Sequence, residues 1–520
     1  MNRTTKAVSV AAVLMCLTGC TDPTVAPKST VTSANVFNDP NSYRAFIAKI
    51  YGGLIVTGQR GPDGNPDIRG IDEGFGEYLR LYWYLQEMPT DEAVIGWNDP
   101  GLPDLNRGIW GASNSMVNAM YYRVFYQVML VNEFLRQSTD AKLAERGQND
   151  PTLIANVHFY RAEARFLRAL SYWHGIDFFG NIPLVTEADP LSSIPPQQST
   201  RTAIYNYIVS ELNAITGLLP PAGPSMYGRA TPAAAHMLLA KLYLNAGVYT
   251  GTPNYTGAVT EAQTVIAGGY SLDTSFVHNF QADNNTSPEL VFVAVQDGAN
   301  TQTWGGMTFL IHAGCGGSMS SSNYGIDFCW GGYRMKQQAY RLFGAGDGRA
   351  AFFWTAGQTD SVGDIGNFSH GIAAPKFTNK TSGGANGQQM GMVDTDFPIF
   401  RLADAYLIYV EGHIRGGGSA ATALGYLNAI RQRAYGDTTA DFAALPPVDT
   451  ILAERGRELL FEAQRRTDLV RFGLFSTGTY LWAWKNNVPG GAALATGRDL
   501  YPLPANELIA NPNLQQNPGY

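Results

Sequence analysis

Four long stretches of this 520-residue chain repeat apolar side chains every three or four residues, and this feature constrains the fold most. Such a period places the apolar side chains on one face of an α-helix, whereas a half-buried strand would alternate every second residue. The four stretches are residues 158–180, 231–247, 401–417 and 451–473. The pattern therefore predicts a mainly α-helical protein.

Two of these stretches are each followed by a second helical segment. Residues 231–247 precede the segment 255–268, and residues 401–415 precede 419–434, with a short glycine-containing break in each pair. Alanine residues at the expected crossing points allow the paired helices to approach closely. A helix, a short break and a second helix form the unit of a tetratricopeptide-like repeat. The sequence therefore predicts a tetratricopeptide-like scaffold with degenerate, widely separated units.

The helix at 231–247 carries its own start and stop signals. Thr231 can accept a hydrogen bond from a free backbone amide of the first turn, and Pro232 suits the first helical position because it lacks an amide. We expect Gly247 to end this helix, because glycine is the commonest residue just beyond a helix C-terminus.

Two long stretches between the helices, 54–115 and 270–395, are rich in glycine, asparagine, serine and aromatic residues. Loops of this length are usually functional or disordered, and a disordered segment would be poor in aromatic residues. The two stretches contain Trp83, Trp97, Trp110, Trp304, Trp330 and Trp354. We interpret them as ordered, ligand-binding loops with a few short strands, of which 289–296 is the best candidate.

The N-terminus has the features of a bacterial export signal. A short basic segment precedes an apolar run at 7–17, which is about half the length that crosses a bilayer. The run ends in Leu17-Thr18-Gly19-Cys20, the pattern of a lipoprotein cleavage site. On this interpretation residues 1–19 are removed and the thiol of Cys20 carries a diacylglyceryl group, with 20–40 as the lipidated N-terminus and tether. The alternative is an ordinary signal peptide with a chance cysteine.

Composition restricts the ligand class. Charged residues make up 15% of the chain, against about 25% in an average soluble domain, and aromatic residues make up 12%. The formal net charge is −7, and no basic stripe is present to neutralise phosphates, which argues against nucleic acid. A surface of amides, hydroxyls and aromatic rings suits neutral, hydroxylated ligands. No later stretch approaches 18 consecutive apolar residues, so we expect no membrane-spanning helix in the mature protein.

Motifs typical of catalysis are missing from the sequence. We find no G-x-S-x-G elbow, no H-E-x-x-H pair and no phosphate-binding loop, and we expect no catalytic residue and no cofactor. Glu454, Glu458 and Glu462 have helical spacing but are interleaved with arginines. Cationic neighbours lower the pKa of a carboxyl group, which is the wrong direction for a general acid. We therefore interpret these glutamates as parts of a salt-bridged scaffold helix.

Outside the export signal the only cysteines are Cys315 and Cys329. They can pair in an exported protein, where a loop of this size gains about 3 kcal/mol on the chain-entropy model. Two free buried thiols are the equally open alternative. Zinc is disfavoured, because His312 alone lies nearby and four ligands are needed.

The segment Asp63-x-Asn65-x-Asp67 offers alternate oxygen ligands, as at the start of a calcium loop. However, Ile68 stands where that loop needs glycine, and Gly74 stands where it needs glutamate. A solvated turn is therefore the better interpretation, and we expect no metal ion.

Nine segments together resemble the SusD/RagB family of lipid-anchored nutrient-binding proteins. The most specific are FFGNIPLV, the helix ERGRELLFEAQRRTDLVRFG and the ending NPNLQQNPGY. The segments lie at 17–20, 90–94, 160–173, 178–190, 229–247, 401–412, 423–436, 454–473 and 500–520. They follow the family's order, so the likeness covers essentially the whole chain.

The resemblance implies four tetratricopeptide-like units packed against a ligand-binding region. It also implies a lipoprotein on the surface of the outer membrane that passes oligosaccharides, or peptides in some members, to a TonB-dependent, SusC-like transporter. No catalysis is implied. We expect an N-terminal SusD-like region at 41–270 and a C-terminal region at 271–520 with ligand-binding loops and the last repeat.

The resemblance also indicates ligand contacts at Trp97, Asn98 and Asp99, which fall where the family often places them. Physical reasoning agrees, because a sugar's C–H face packs on an aromatic ring while its hydroxyls need polar partners. The same reasoning nominates Trp304 with Gln302, and Trp330 with Asn323 and Asp327. The alternative for each tryptophan is a place in the core, which we assign to Trp110 and Trp173.

Two other classes of function stay open. One is a glycoside hydrolase, which needs two suitably spaced carboxylates that loop residues could supply; the candidates are Asp327, Asp347, Asp360 and Asp364. The other is an assembly protein of the outer membrane that uses its repeats only to hold partners.

Overall fold

The computed structural model describes residues 33–520 except 60, 63, 65, 193, 224 and 225. Its helices are α1 (Ser33–Val36), α2 (Asn41–Gly52), α3 (Tyr78–Glu87), α4 (Leu102–Arg107), α5 (Ser115–Gln137), α6 (Asp140–Glu145), α7 (Pro151–Phe179), α8 (Arg201–Ile215), α9 (Pro232–Leu244), α10 (Ala246–Thr250), α11 (Tyr255–Ile266), α12 (Gly306–Ala313), α13 (Gln337–Tyr340), α14 (Leu402–Arg415), α15 (Ala420–Tyr435), α16 (Val448–Glu458), α17 (Arg465–Arg471) and α18 (Ala505–Ala510). The mainly α-helical fold class is thus confirmed.

In the described part of the chain, six short strands form three antiparallel pairs. They are β1 (Ala93–Ile95), β2 (Ile182–Pro183), β3 (Gln198–Ser199), β4 (Leu290–Ala294), β5 (Tyr333–Met335) and β6 (Phe397–Arg401). β1 pairs with β5, β2 with β3, and β4 with β6. The strand expected at 289–296 is β4. The β1–β5 pair matters most for function, because it joins the two long loop stretches.

The predicted helix pairs are present and stack on each other. α9 packs against α11, α11 against α14, and α14 against α15, so the two pairs form one continuous layer. Gly412 of α14 makes the close approach of α11 and α14 feasible. A Cβ at this position would lie 2.9 Å from Val259 Cγ2 and 3.3 Å from the Tyr255 carbonyl oxygen.

The predicted start of α9 is confirmed, and its predicted end at Gly247 is wrong. Thr231 Oγ1 accepts a hydrogen bond from the Ala234 amide, and Pro232 is the first helical residue. The helix ends at Leu244, and Gly247 lies inside the following short helix α10. The chain turns at Gly251, whose φ of 79° suits glycine. One-turn α10 therefore takes the place of the break that we expected at Gly247.

The single helix expected at 451–473 is also wrong, because the structure divides it into α16 and α17. Phe461 and Ala463 have positive φ values of 62° and 57°, which no α-helix accommodates. Contacts from a remote part of the chain hold this bend: the Phe461 amide donates to Glu92 Oε2 and the Phe461 carbonyl accepts from Trp83 Nε1. Tertiary hydrogen bonds thus replace the helical ones.

The apolar core is continuous between the regions 41–270 and 271–520. Trp83 of α3, for example, packs edge-on against Phe309 and also contacts Tyr333 and Phe461. The boundary between the two regions stays a prediction. Within the described part of the chain, no helix combines the length and apolarity needed to cross a bilayer. Cys20 and the rest of the export signal lie outside the described residues.

The glutamates of the fourth stretch form the predicted ion pairs, all of them buried, although only Glu454 and Glu458 lie on a helix. Burial alone would raise the pKa of Glu454, but the charges of Arg349 and Arg457 outweigh it and lower the pKa to about 2. Glu462 lies outside any helix, in the bend, and pairs with Lys376 and Arg401. These carboxylates hold the scaffold together.

Candidate ligand-binding site

The three nominated tryptophans, from three separate loops, lie side by side. The ring centroid of Trp330 is 6.2 Å from that of Trp304 and 6.4 Å from that of Trp97. The ring planes are tilted by 57° and 46°, so the surface that they form is curved. All three rings are partly exposed. We call Trp97, Trp304 and Trp330 the aromatic platform.

The β1–β5 pair brings two platform residues together. Ile95 at the end of β1 pairs with Tyr333 at the start of β5, so Trp97 just after β1 meets Trp330 just before β5. Gly332 leaves the space that the Trp97 ring needs, because a Cβ there would lie 2.8 Å from Trp97 Cζ2. Residues from loops more than two hundred positions apart thus face one surface.

The loop that carries Trp330 is tied down on both sides. The Trp330 amide donates to the His312 carbonyl over 2.9 Å, and the Gly331 amide donates to the Cys315 carbonyl over 2.8 Å. Cys315 and Cys329 form a disulfide in the structure, with their Cα atoms 4.9 Å apart. The disulfide closes the loop immediately before Trp330.

Arg80 of α3 is buried and contacts both Trp304 and Trp97. Its Nη1 donates to the Gly74 and Trp304 carbonyls, both over 3.0 Å. Its guanidinium packs on the Phe309 ring at 4.4 Å and faces the Trp97 ring at 5.7 Å. Sequence reasoning missed this residue. The available signal was a single arginine in the otherwise apolar and aromatic segment YLRLYWYL.

Glu77 fixes Trp304 against the start of α3. Its carboxylate caps the helix by accepting from the Leu79 and Arg80 amides and also accepts from the Gly306 amide, all over 2.7 Å. Burial raises the pKa of Glu77 to about 7, although these hydrogen bonds oppose the rise. One side chain therefore links the helix and the loop that build this end of the platform.

His312 and Phe328 extend the platform around Trp330, and sequence reasoning missed both roles. The His312 ring stacks on Trp330 with centroids 4.7 Å apart, and its Nδ1 donates to the Phe328 carbonyl over 2.8 Å. Burial lowers the pKa of His312, which keeps the imidazole neutral at neutral pH. Phe328 is 55% exposed, and its ring lies 6.3 Å from that of Trp330.

The indole N–H groups of the platform are unbonded within the described residues, a state shared there by one other tryptophan, the buried Trp482. The N–H groups of Trp97, Trp304 and Trp330 donate no hydrogen bond to a described residue, and those of Trp83, Trp110, Trp173, Trp354 and Trp484 do. Trp110 and Trp173 are fully or almost fully buried, as predicted. Unbonded N–H groups at a partly exposed surface can donate to a ligand.

Polar groups flank the platform at Trp97. Asn98 is exposed and Asp99 half-buried, and neither side chain has a hydrogen-bond partner among the described residues. The polar residues nominated beside Trp304 and Trp330 differ in whether their side chains already form hydrogen bonds within the protein. Gln302 Nε2 donates back to the Gly298 carbonyl, Asp327 Oδ1 accepts from the Phe328 amide, and the Asn323 side chain is exposed without a described partner.

Two of the four candidate catalytic carboxylates are held in ion pairs. Asp347 is fully buried, and both of its oxygens bind Arg349. Asp360 pairs with Arg341 over 2.7 Å. Asp327 and Asp364 are exposed. A general acid needs a raised pKa, and paired carboxylates are poor candidates for one.

Potential metal ligands are not clustered in the described residues, which hold no group of three or more histidine, cysteine, aspartate or glutamate side chains suited to an ion. Of the candidate calcium segment, Asp63 and Asn65 lie outside the described residues. Asp67 binds Lys49 Nζ over 2.6 Å.

Comparisons with known proteins point to one family. The family model described as "SusD family" matches residues 345–520, and the model described as "Starch-binding associating with outer membrane" matches residues 104–244. The chain is 33% identical to the starch-binding protein SusD of Bacteroides thetaiotaomicron over 91% of each chain.

Solved structures show the same fold. The surface glycan-binding protein A of Bacteroides fluxus superposes with a TM-score of 0.69 at 22% identity, covering 92% of this chain and 99% of that one. Surface glycan-binding protein A of Bacteroides thetaiotaomicron, solved in complex with laminarihexaose, superposes with a TM-score of 0.69 at 19% identity, covering 91% and 98%.

Proposed function

Since this chain belongs to the SusD family, we propose that it is a glycan-binding protein of the outer membrane that holds an oligosaccharide on the aromatic platform. The observation that carries the proposal is the meeting of Trp97, Trp304 and Trp330 with partly exposed rings and unbonded indole N–H groups. The names of two relatives, one starch-binding and one solved with laminarihexaose, support a glucan as the ligand.

The geometry of the platform fits a curved chain of neutral sugars. Each aromatic contact contributes roughly 0.5–1.5 kcal/mol beyond the area that it buries. Successive rings tilted by 57° and 46° follow a coiled glucan such as starch better than a flat ribbon such as cellulose. Asn98, Asp99 and the free indole N–H groups supply partners for hydroxyls, each worth about 1 kcal/mol net.

The proposal also assigns this protein a cellular location and a partner protein. Lipid on Cys20 would hold the protein on the outer membrane, where a TonB-dependent, SusC-like transporter would receive the oligosaccharide. The lipoprotein signal in the sequence and the family model named for outer-membrane association support this part. Two or more acyl chains hold a protein on a membrane much more firmly than one.

The protein binds its ligand without cleaving it, on this proposal. The ion pairs of Asp347 and Asp360 disfavour the glycoside hydrolase. Release of reducing sugar from a polysaccharide panel, lost on substitution of Asp327 or Asp364, would overturn the binding-only function. Binding of a peptide in place of a glycan is the alternative within the family.

The test is calorimetric titration of residues 33–520 with maltooligosaccharides and laminarioligosaccharides. We expect Trp97→Ala to weaken binding about tenfold or more, because the loss of one stacking contact and its buried area exceeds about 1.4 kcal/mol. Trp354→Ala is the matched control, because this half-buried tryptophan lies outside the platform. An unchanged dissociation constant for a folded Trp97→Ala variant would remove the platform from the binding site.

A further inference from the structure

A cleft of about 330 Å³ adjoins the platform at Trp97. Trp97 and Asn98 form one wall, Arg107 of α4 a second, and Asp364 with Gly366 a third, and Trp484 completes the lining. We call it the Trp97–Trp484 cleft. The function proposed above uses only the Trp97 and Asn98 side of this space.

The walls of the cleft are held together by specific contacts. Asn106 of α4 binds both the amide and the carbonyl of Ile95, which fixes α4 against β1. Gly96 lets the loop 363–366 approach, because a Cβ there would lie 2.8 Å from the Ile365 carbonyl oxygen. Arg334 Nη2 donates to that same carbonyl over 2.8 Å. The cleft is therefore a feature of packed elements and not a gap between loose loops.

The chain around Trp484 is strained. Trp484, Asn486 and Asn487 have φ values of 67°, 56° and 57°, in the left-handed region that favours glycine. Such backbone conformations are uncommon for residues other than glycine, and they cluster at ligand sites. Lys485 holds this turn by donating to three backbone carbonyls. The indole N–H of Trp484 donates to the Val362 carbonyl over 2.7 Å, which fixes the ring at the cleft.

The polar lining has unused hydrogen-bonding capacity. Arg107 forms no ion pair with a described residue, and its one hydrogen bond is a long 3.5 Å contact to the Pro103 carbonyl. Asp364 Oδ1 accepts from the Gly366 amide over 2.8 Å, and its Oδ2 has no described partner. The Asn98 amide is likewise free. One cation, one anion and one amide offer donors and acceptors without excess charge, which suits hydroxyls better than an ionic group.

We propose that the Trp97–Trp484 cleft is a second saccharide subsite, continuous with the platform through Trp97. It holds a neutral sugar unit of the same oligosaccharide, beyond the units that stack on the platform. This inference rests on the proposed function, because it assigns a further part of the same ligand. Its consequence is a preference for long oligosaccharides over short ones.

The experiment compares maltotriose with maltoheptaose, and laminaritriose with laminarihexaose, by calorimetry on residues 33–520. The variants are Arg107→Met, which keeps the aliphatic stem, and Asp364→Asn, which keeps the acceptor for the Gly366 amide. Their controls are Arg44→Met, an exposed arginine of α2, and Asp437→Asn, an exposed aspartate that also accepts from a backbone amide two residues on. Melting curves establish that each variant is folded.

We expect the unaltered protein to bind the long member of one series at least tenfold more tightly than the short one. Each cleft variant should weaken binding of the long member about five- to tenfold, leave the short member within twofold, and differ from its control. Equal affinity for both lengths in the unaltered protein, or equal effects of a variant on both, would overturn the subsite and leave the platform in place. Absence of binding to either series would overturn the proposed function and the subsite with it. If one variant does not fold, the result for the other variant and the length dependence of binding by the unaltered protein decide whether the subsite exists.

Discussion

Glu458 lies in the interior of the protein with three guanidinium groups around its carboxylate. Its oxygens accept from Arg349 and Arg401 over 3.0 and 2.7 Å, and from Arg433. Burial alone would raise the pKa of Glu458, but the charges of Arg433, Arg401 and Arg349 outweigh it and hold the pKa well below its usual range. Removing one partner from a buried ion pair leaves an uncompensated charge, which is costly. Glu458 is thus a stability residue.

We expect Glu458→Gln to lower the free energy of unfolding by about 3–5 kcal/mol, because the guanidinium groups lose a buried partner. Chemical denaturation followed by circular dichroism measures this change. The control is Glu145→Gln, which removes an exposed carboxylate paired with Lys142 and should change stability little. Equal effects of the two substitutions would show that the buried network contributes no more than a surface pair.

For single residues, the sequence predicted the structural role of a side chain better than it predicted the residues that the side chain contacts. Helical spacing and nearby arginines correctly indicated that Glu454 and Glu458 form salt bridges. Arg457 does bind Glu454, but Glu458 binds arginines from β6, from α15 and from the short 3₁₀ helix Gly348–Phe352. Spacing along one helix identifies neighbours on that helix only, whereas a buried side chain is surrounded by remote segments.

Among the secondary-structure elements, too, some features were predicted from the sequence and others were not. Periodicity located α9, α11, α14 and α15 within a few residues, but it placed the start of α7 seven residues late, and the stretch 451–473 is broken between α16 and α17. The apolar pattern continues through the break, so no local signal marked it. Hydrogen bonds from Trp83 and Glu92, both in another part of the chain, stabilise the non-helical backbone at Phe461. A helix ended by tertiary contacts cannot be recognised from its own residues.

The disulfide loop 315–329 is the element on which the platform depends most directly. Cys315 follows α12, and Cys329 precedes Trp330. The loop also carries Phe328, and the amide of Asp327 donates to the Met390 carbonyl. The sequence left a disulfide and two free thiols open, because spacing alone does not establish that two cysteines meet.

We expect the double variant Cys315→Ser/Cys329→Ser to lose roughly 3 kcal/mol of stability, the chain-entropy value for a loop of this length. Thermal unfolding with and without dithiothreitol measures the effect. The reductant should lower the melting temperature of the unaltered protein and leave that of the double variant unchanged. Equal responses to the reductant would indicate two free thiols in place of the bond.

For the whole molecule, the stacked helices form a scaffold on which the loops meet. The layer of α9, α11, α14 and α15 combines two helices from each region of the chain, and α7 packs against both α5 and α8. The β1–β5 pair joins loops from both regions at the platform. Solved structures of similar proteins share this fold, and the N-terminal segment that we interpret as a lipoprotein signal would add attachment to a membrane.

We expect Cys20→Ser to release the protein from the membrane fraction, because the lipid needs the Cys20 thiol. Labelling with radioactive palmitate followed by fractionation measures this outcome. Cys16→Ser is the matched control, since it alters a cysteine inside the segment that we expect to be cleaved and should leave labelling intact. Continued incorporation of palmitate into the Cys20→Ser variant would contradict the anchor.

The sequence by itself determined the helical class, the positions of several helices, the family and the tryptophans worth testing, because these depend on local periodicity and on recognisable segments. Only the tertiary structure decided that Trp97, Trp304 and Trp330 meet and that Arg80 and Phe328 join them. It also decided that Trp97 and Trp484 line the same cleft. The physical reason is that each of these arrangements rests on contacts between residues far apart in the chain. A local pattern specifies which face of an element is buried, but not what covers that face.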